Sequence, residues 1–137
     1  MNNSEENIYA RDKAIAYIGI SKKTEYEVVK KLKGLKITSS VIEQEIEYLK
    51  ELGYIDDLGY VRSYIRQCEK MLNYSTYEIS NKLLQKGIKA GIIEQEISLL
   101  KETEYEQNVM DKLLNGKLKS YDELKQRNYL YRRGFRI

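Results

Sequence analysis

The chain has no proline, no histidine and no tryptophan, and a single cysteine among its 137 residues. Each absence removes a class of chemistry. Without imidazole there is no ordinary acid-base side chain near neutral pH, no Ser-His or Cys-His nucleophile pair, and no zinc site of the common cysteine-histidine kind. With Cys68 alone no intramolecular disulfide can form, which fits a reducing cytoplasm. The eight glycines are scattered singly and none opens a phosphate-binding loop ending in Lys-Ser or Lys-Thr. No apolar run approaches the length of a membrane span, and the first residues, Met-Asn-Asn-Ser-Glu-Glu, are polar and acidic, unlike a signal peptide. Asp56 and Asp57 are the one adjacent acidic pair that invites a catalytic or metal reading. Neighbours on a helix face different ways and a helix N-terminus favours an acid, so the pair reads as a cap. The expectation is a cytoplasmic binding protein, not an enzyme, without metal or cofactor.

What is present is a repeat. Ile-Glu-Gln-Glu-Ile occurs at Ile42 to Ile46 and again at Ile93 to Ile97, 51 residues on. The same ungapped shift pairs Tyr26 with Tyr77, Glu27 with Glu78, Lys31 with Lys82, Leu32 with Leu83, Ile37 with Ile88 and Leu49 with Leu100. A period of this size is one supersecondary unit used more than once, its apolar faces buried against its neighbours.

Helix signals punctuate the chain throughout. Four stretches fit the reciprocal capping box: Thr24/Glu27, Ser40/Glu43, Ser75/Glu78 and Ser120/Glu123. Single glycines at 34, 53, 87, 116 and 134 stand where a helix could end in a left-handed residue. The pattern predicts eight helices, over about 5–19, 24–34, 40–52, 56–71, 75–86, 91–102, 104–115 and 120–133. The fold class is all-α. The helices group in threes, as tandem helix-turn-helix-like units in an elongated, curved array: repeats over about 5–53 and 54–103, then 104–137 lacking a last helix. Ser120 and Glu123 align with Ser75 and Glu78, whereas Leu130, Gly134 and Phe135 align with Leu83, Gly87 and Ile88 at a longer offset, which places a two-residue insertion inside the last helix. Two amphipathic helices alone bury little apolar surface, so the third repeat is expected to be the least stable.

Leu58, Val61, Ile65, Cys68 and Leu72 recur at spacings of three and four, forming a buried stripe that makes Cys68 a core residue. The other side of that helix carries Arg62, Arg66 and Lys70, a basic ridge, though Arg62 could equally partner a neighbouring carboxylate. Residues 1–52 carry nine basic and nine acidic side chains, 53–103 seven and seven, and 104–137 eight and five, so all the net charge of +3 lies in the last stretch. There Arg127, Arg132, Arg133 and Arg136 alternate with Tyr129, Tyr131 and Phe135, a surface that can attract phosphate or an acidic protein groove. The bland reading, in which these arginines only solubilise, has equal weight.

The segment Leu52-Gly53-Tyr54-Ile55-Asp56-Asp57-Leu58-Gly59-Tyr60-Val61-Arg62-Ser63-Tyr64-Ile65, the stretch Leu83-Leu84-Gln85-Lys86-Gly87-Ile88 and the terminal Tyr129-Leu130-Tyr131-Arg132-Arg133-Gly134-Phe135 resemble the RecX family, regulators of the recombinase RecA. The resemblance runs from about residue 10 to the end. It implies a monomer that binds the RecA filament on single-stranded DNA and suppresses ATP hydrolysis, strand exchange and co-protease activity, modulating DNA repair, recombination and the SOS response. It also implies a further helix after Phe135, where this chain stops at Ile137. Gly53, Tyr54, Asp56, Asp57, Gly87, Gly134 and Phe135 are expected to hold the repeats in register. The candidate contacts to RecA or to DNA phosphate are Arg62, Arg66, Lys70, Lys82, Lys86, Arg127, Arg132, Arg133 and Arg136.

Two other readings compete. Tandem three-helix units could bind DNA directly, but a groove-reading helix should be basic, whereas the third helices carry Glu43, Glu45, Glu47 and Glu51, then Glu94, Glu96 and Glu102. A scaffold for some other protein partner is compatible with the composition, and only the family motifs argue against it.

Overall fold

The computed structural model describes residues 3–136, and every regular element among them is an α-helix. The eight are α1 (Asn3–Ile20), α2 (Glu25–Gly34), α3 (Ser39–Glu51), α4 (Asp57–Met71), α5 (Thr76–Gln85), α6 (Ala90–Lys101), α7 (Tyr105–Asn115) and α8 (Glu123–Arg132). Every end falls within three residues of its predicted place.

The chain divides into two compact units, one running to Tyr60 and including Lys86–Ile88, the other made of Val61–Gln85 and the chain from Lys89 onward. In the first, α1, α2 and α3 pack on one another. Ala10 and Ala14 on α1, Val28 and Leu32 on α2, and Val41, Ile42, Ile46 and Leu49 on α3 form its core, closed by Ile37 and Ile55. The alanines let α1 approach its neighbours closely, and each buried leucine or valine contributes roughly 2 kcal/mol of transfer free energy. In the second unit α6 packs against α5 and α7. Val61, Ile65 and Cys68 from α4, Ile79 and Leu83 from α5, and Ile93, Ile97 and Leu100 from α6 are buried there. Val109, Leu118 and Phe135 have no exposed surface at all, so the last two helices share a core with the rest of their unit. Burial pushes the Cys68 thiol up to about 11, which keeps it a thiol and an apolar filler at neutral pH.

Several local expectations are corrected. The capping boxes at Thr24/Glu27 and Ser75/Glu78 form, but the other two do not. At α3 the N-cap residue is Thr38, just before the helix, whose amide and hydroxyl both donate to Glu6 of α1 at 3.0 and 2.9 Å, so a carboxylate from another helix replaces the box predicted at Ser40/Glu43. At α8 the cap is Asp122, which accepts from the Lys125 amide at 2.8 Å in place of Ser120. Asp122 lies 47 residues beyond Ser75, the offset that relates Leu130, Gly134 and Phe135 to Leu83, Gly87 and Ile88. The two extra residues therefore precede α8 instead of interrupting it.

Gly53, Gly87 and Gly134 are left-handed, but Gly34 and Gly116 are not. After α2 it is the exposed Lys36 that takes φ 63°, at the position equivalent to Gly87. Of the predicted stripe on α4, Leu58 is exposed and Leu72 lies past the helix end at φ 54°. Ile55 is buried as expected, whereas Tyr54 is exposed.

Candidate partner-binding surface

Which cations can meet a partner depends on which the fold has already used. Thr24 caps α2, and its hydroxyl donates to the Lys86 carbonyl at 2.7 Å. Ser75, its equivalent, donates to the Arg133 carbonyl at 2.6 Å. The glutamate of each box then pairs with the same basic residue. Lys86 Nζ lies 3.6 Å from Glu27 Oε2, while Arg133 grips Glu78 at two points, Nη2 to Oε1 at 2.8 Å and Nε to Oε2 at 3.1 Å. Arg133 also donates to the Asn73 carbonyl and to the Tyr129 hydroxyl. The next residue, Gly87 or Gly134, runs beneath the tyrosine one position before the glutamate. A Cβ on Gly87 would come within 2.3 Å of Tyr26, and one on Gly134 within 2.6 Å of Tyr77. The same three-part clasp, hydroxyl to carbonyl, glutamate to base and tyrosine over glycine, is thus built twice, once in each unit.

The clasp makes one pH prediction. Burial opposes ionisation of Glu78, but hydrogen bonds from Arg133 and the Ser75 amide outweigh it and hold its pKa below the ordinary carboxylate value. A depressed carboxylate contributes its full stability above the unfolded pKa, about 4.3, and loses it as pH falls through the folded value. Thermal melts followed by circular dichroism from about pH 6 to pH 3 should therefore fall more steeply for the native chain than for Glu78→Gln. Parallel pH profiles would remove the Arg133–Glu78 pair from the stability account.

A second internal pair also recurs. Arg11 holds Glu45 through Nε to Oε2 at 2.8 Å and Nη2 to Oε1 at 3.0 Å, and Arg62, 51 residues on, places Nε 2.8 Å from Oε1 of Glu96. Glu45 is 1% exposed; desolvation alone would raise its pKa, yet the bonds from Arg11 and Asn7 hold it below the ordinary value. Two acidic residues of α3 and α6, Glu45 and Glu96, are therefore internal ion partners. The acids read as caps have that role: Asp56 accepts from the Gly59 amide at 3.0 Å, and Asp57 reaches the first amide of α2, at Glu25, at 2.9 Å. Glu106 does the same for Thr76 at the start of α5, at 2.8 Å.

Of the nine candidate contact residues, Arg62 and Arg133 are ion-paired inside the second unit, and Lys86 faces Glu27 in the first. Lys82 is half-buried with its ammonium 4.5 Å from the Tyr74 ring centroid. Arg66, Lys70, Arg127, Arg132 and Arg136 point to solvent. Arg136 lines a groove with Tyr77, Ser80, Ile97 and Lys101. Reading the chain as a sequence left Arg62 open to a carboxylate partner without naming Glu96, and missed the Arg11–Glu45 pair, although Arg11 and Arg62 carry the same 51-residue signal as the pentapeptide. It also missed Leu99, an exposed apolar side chain in a groove with Arg62 and Arg66.

No family model matches the chain. It is 37% identical over 105 residues to "Regulatory protein RecX" of Streptococcus agalactiae serotype III, covering 77% of this chain and 41% of that protein. With the protein of the same name from Clostridium botulinum it is 33% identical over 134 residues, 95% of this chain and 62% of the other. The fold superposes on the crystal structure of RecX from Lactobacillus salivarius with a TM-score of 0.80 at 25% identity, covering 97% of this chain and 90% of that one. This chain belongs to the RecX family. It spans less than two thirds of the length of these RecX relatives from Streptococcus and Clostridium. A second crystal structure of regulatory protein RecX shares the fold, with a TM-score of 0.76 at 24% identity. The family's proteins are named for regulation, and among the described residues no helix is long and apolar enough to cross a membrane and no cluster could hold a metal ion.

Proposed function

We propose that this RecX chain is a non-enzymatic, cytoplasmic regulator that binds the RecA filament on single-stranded DNA and restrains its ATPase, recombinase and co-protease activity. The observation that carries this reading is the likeness to RecX, in fold along 97% of the chain and in sequence along 95%. The doubled clasp supports a tandem-repeat organisation, because residues at corresponding positions do the same mechanical work. Repeated elements suit a repeated partner: several weak contacts gain strength through effective concentration. The exposed cations Arg66, Lys70, Arg127, Arg132 and Arg136 are the contact candidates left once internal pairing is subtracted.

The direct test is RecA ATP hydrolysis on single-stranded DNA, titrated with this chain, with binding to the DNA alone measured alongside. Inhibition well below one chain per RecA supports filament binding. Tight binding to bare DNA without inhibition would replace this reading by a DNA-binding one, and no effect in either assay would reject both. Replacing Arg127, Arg132 and Arg136 together by glutamine is expected to weaken association about tenfold at low salt and to flatten its salt dependence. Arg133 is left out because it is committed to Glu78. A salt dependence identical to that of the unaltered chain would leave these three arginines outside the interface.

A further inference from the structure

The two arginine–glutamate pairs present different surfaces to solvent. In the first unit the Arg11 guanidinium lies 3.9 Å from the Tyr48 ring centroid, so the ion pair is roofed by an aromatic ring. In the second unit the position equivalent to Tyr48 is Leu99, 56% exposed, and the Arg62 side chain is 54% exposed against 37% for Arg11. The positions of Ile15 and Gly19 in the first unit are held in the second by the exposed Arg66 and Lys70. Both pairs meet the same internal need, to neutralise a glutamate of the third helix. What differs is the outward face, and the internal pair does not require that difference.

Leu99 sits in a groove between α4 and α6 whose walls include Ile65, Arg66, Leu100 and Thr103. An apolar side chain flanked by cations is complementary to a peptide that offers an apolar residue between carboxylates. Nucleic acid fits it poorly. Bases bind single-strand platforms by stacking on aromatic rings, and none lines the groove; of the two acids that line it, Glu69 and Glu96, the second is neutralised by Arg62.

We propose that the α4–α6 groove of the second unit, lined by Leu99 and Arg66 and followed on α4 by the exposed Lys70, docks an acidic, apolar-anchored segment of a protein partner. The assignment rests on the RecA reading for the partner's identity and goes beyond it in naming the surface and the chemistry recognised.

The test uses the full chain, fluorescently labelled, and RecA filaments assembled on single-stranded DNA with a slowly hydrolysed ATP analogue, with bare oligo(dT) as a second probe. Two variants are compared: Arg66→Glu with Lys70→Glu, and Leu99→Ser. All three sites are exposed, so melting temperatures should be unchanged, while each variant should bind filaments about tenfold more weakly or worse. Filament binding by the native chain that neither variant alters would overturn this docking surface and leave the RecA reading standing. Failure of the native chain to bind filaments at all would overturn the RecA reading itself. If the charge variant alone loses affinity and loses it equally for oligo(dT), the ridge reads phosphate and the peptide assignment falls.

Discussion

Gly87→Ala is expected to destabilise the chain by about 3 kcal/mol. Two costs add. The residue has φ +80°, where a side chain is strained by roughly 1–2 kcal/mol. Its Cβ would also come 2.3 Å from Cβ and Cγ of Tyr26, and that Cβ is fixed to the α2 backbone, so no side-chain rotation relieves the clash with it. Gly53→Ala supplies the comparison, because Gly53 has φ +81° but nothing within 4 Å of its Cβ, so only the backbone term of about 1 kcal/mol should appear. Urea unfolding of the two variants measures the difference, and Tyr26→Ala in the Gly87→Ala background should recover part of it. Equal destabilisation of both glycine variants would show that the tyrosine-over-glycine contact yields without strain.

Arg11→Met is expected to cost about 2–3 kcal/mol, more than Glu45→Met, with the double replacement more stable than Arg11→Met alone. The asymmetry follows from burial. Glu45 is 1% exposed, so losing Arg11 leaves a carboxylate whose remaining hydrogen-bond donor among the described residues is Asn7, at 2.9 Å. Arg11 is part-exposed, so an Arg11 that has lost Glu45 is rehydrated at little cost, which also places the expected loss at the lower end for broken buried pairs. Arg11→Met should in addition raise the Glu45 pKa, since the Arg11 bonds help to hold it down. Denaturation at pH 7 and pH 5 would read both effects. A double variant no more stable than Arg11→Met would mean that solvent reaches Glu45 in the folded state.

The contrast between the two units bears on function. Equivalent positions that keep the same partner, Thr24 and Ser75 with their carbonyls, Glu27 and Glu78 with their bases, are scaffold. Equivalent positions that diverge while the scaffold contact persists, Tyr48 and Leu99 or Ile15 and Arg66, are where partner recognition has room to act. A repeat protein carries this comparison within one chain.

All-helical class, eight helices and most of their ends were legible in the sequence, because apolar spacing, hydroxyl-acid boxes and left-handed glycines are set by backbone geometry within a few residues of themselves. The repeat was legible too, since identical residues 51 apart need no structure to be seen. What tertiary structure alone decided was the partner of each charge. Ser40 had the local signature of a cap, yet at α3 it is Glu6, 32 residues from Thr38 and brought there by packing, that takes the Thr38 amide and hydroxyl. Arg133 stood in a basic patch in the sequence and Arg62 was open to either role; both are internal ion partners, since their glutamates, 55 and 34 residues away, come within hydrogen-bonding reach only when the helices have packed. Sequence fixes what a side chain can do; packing determines which of those things it is left free to do.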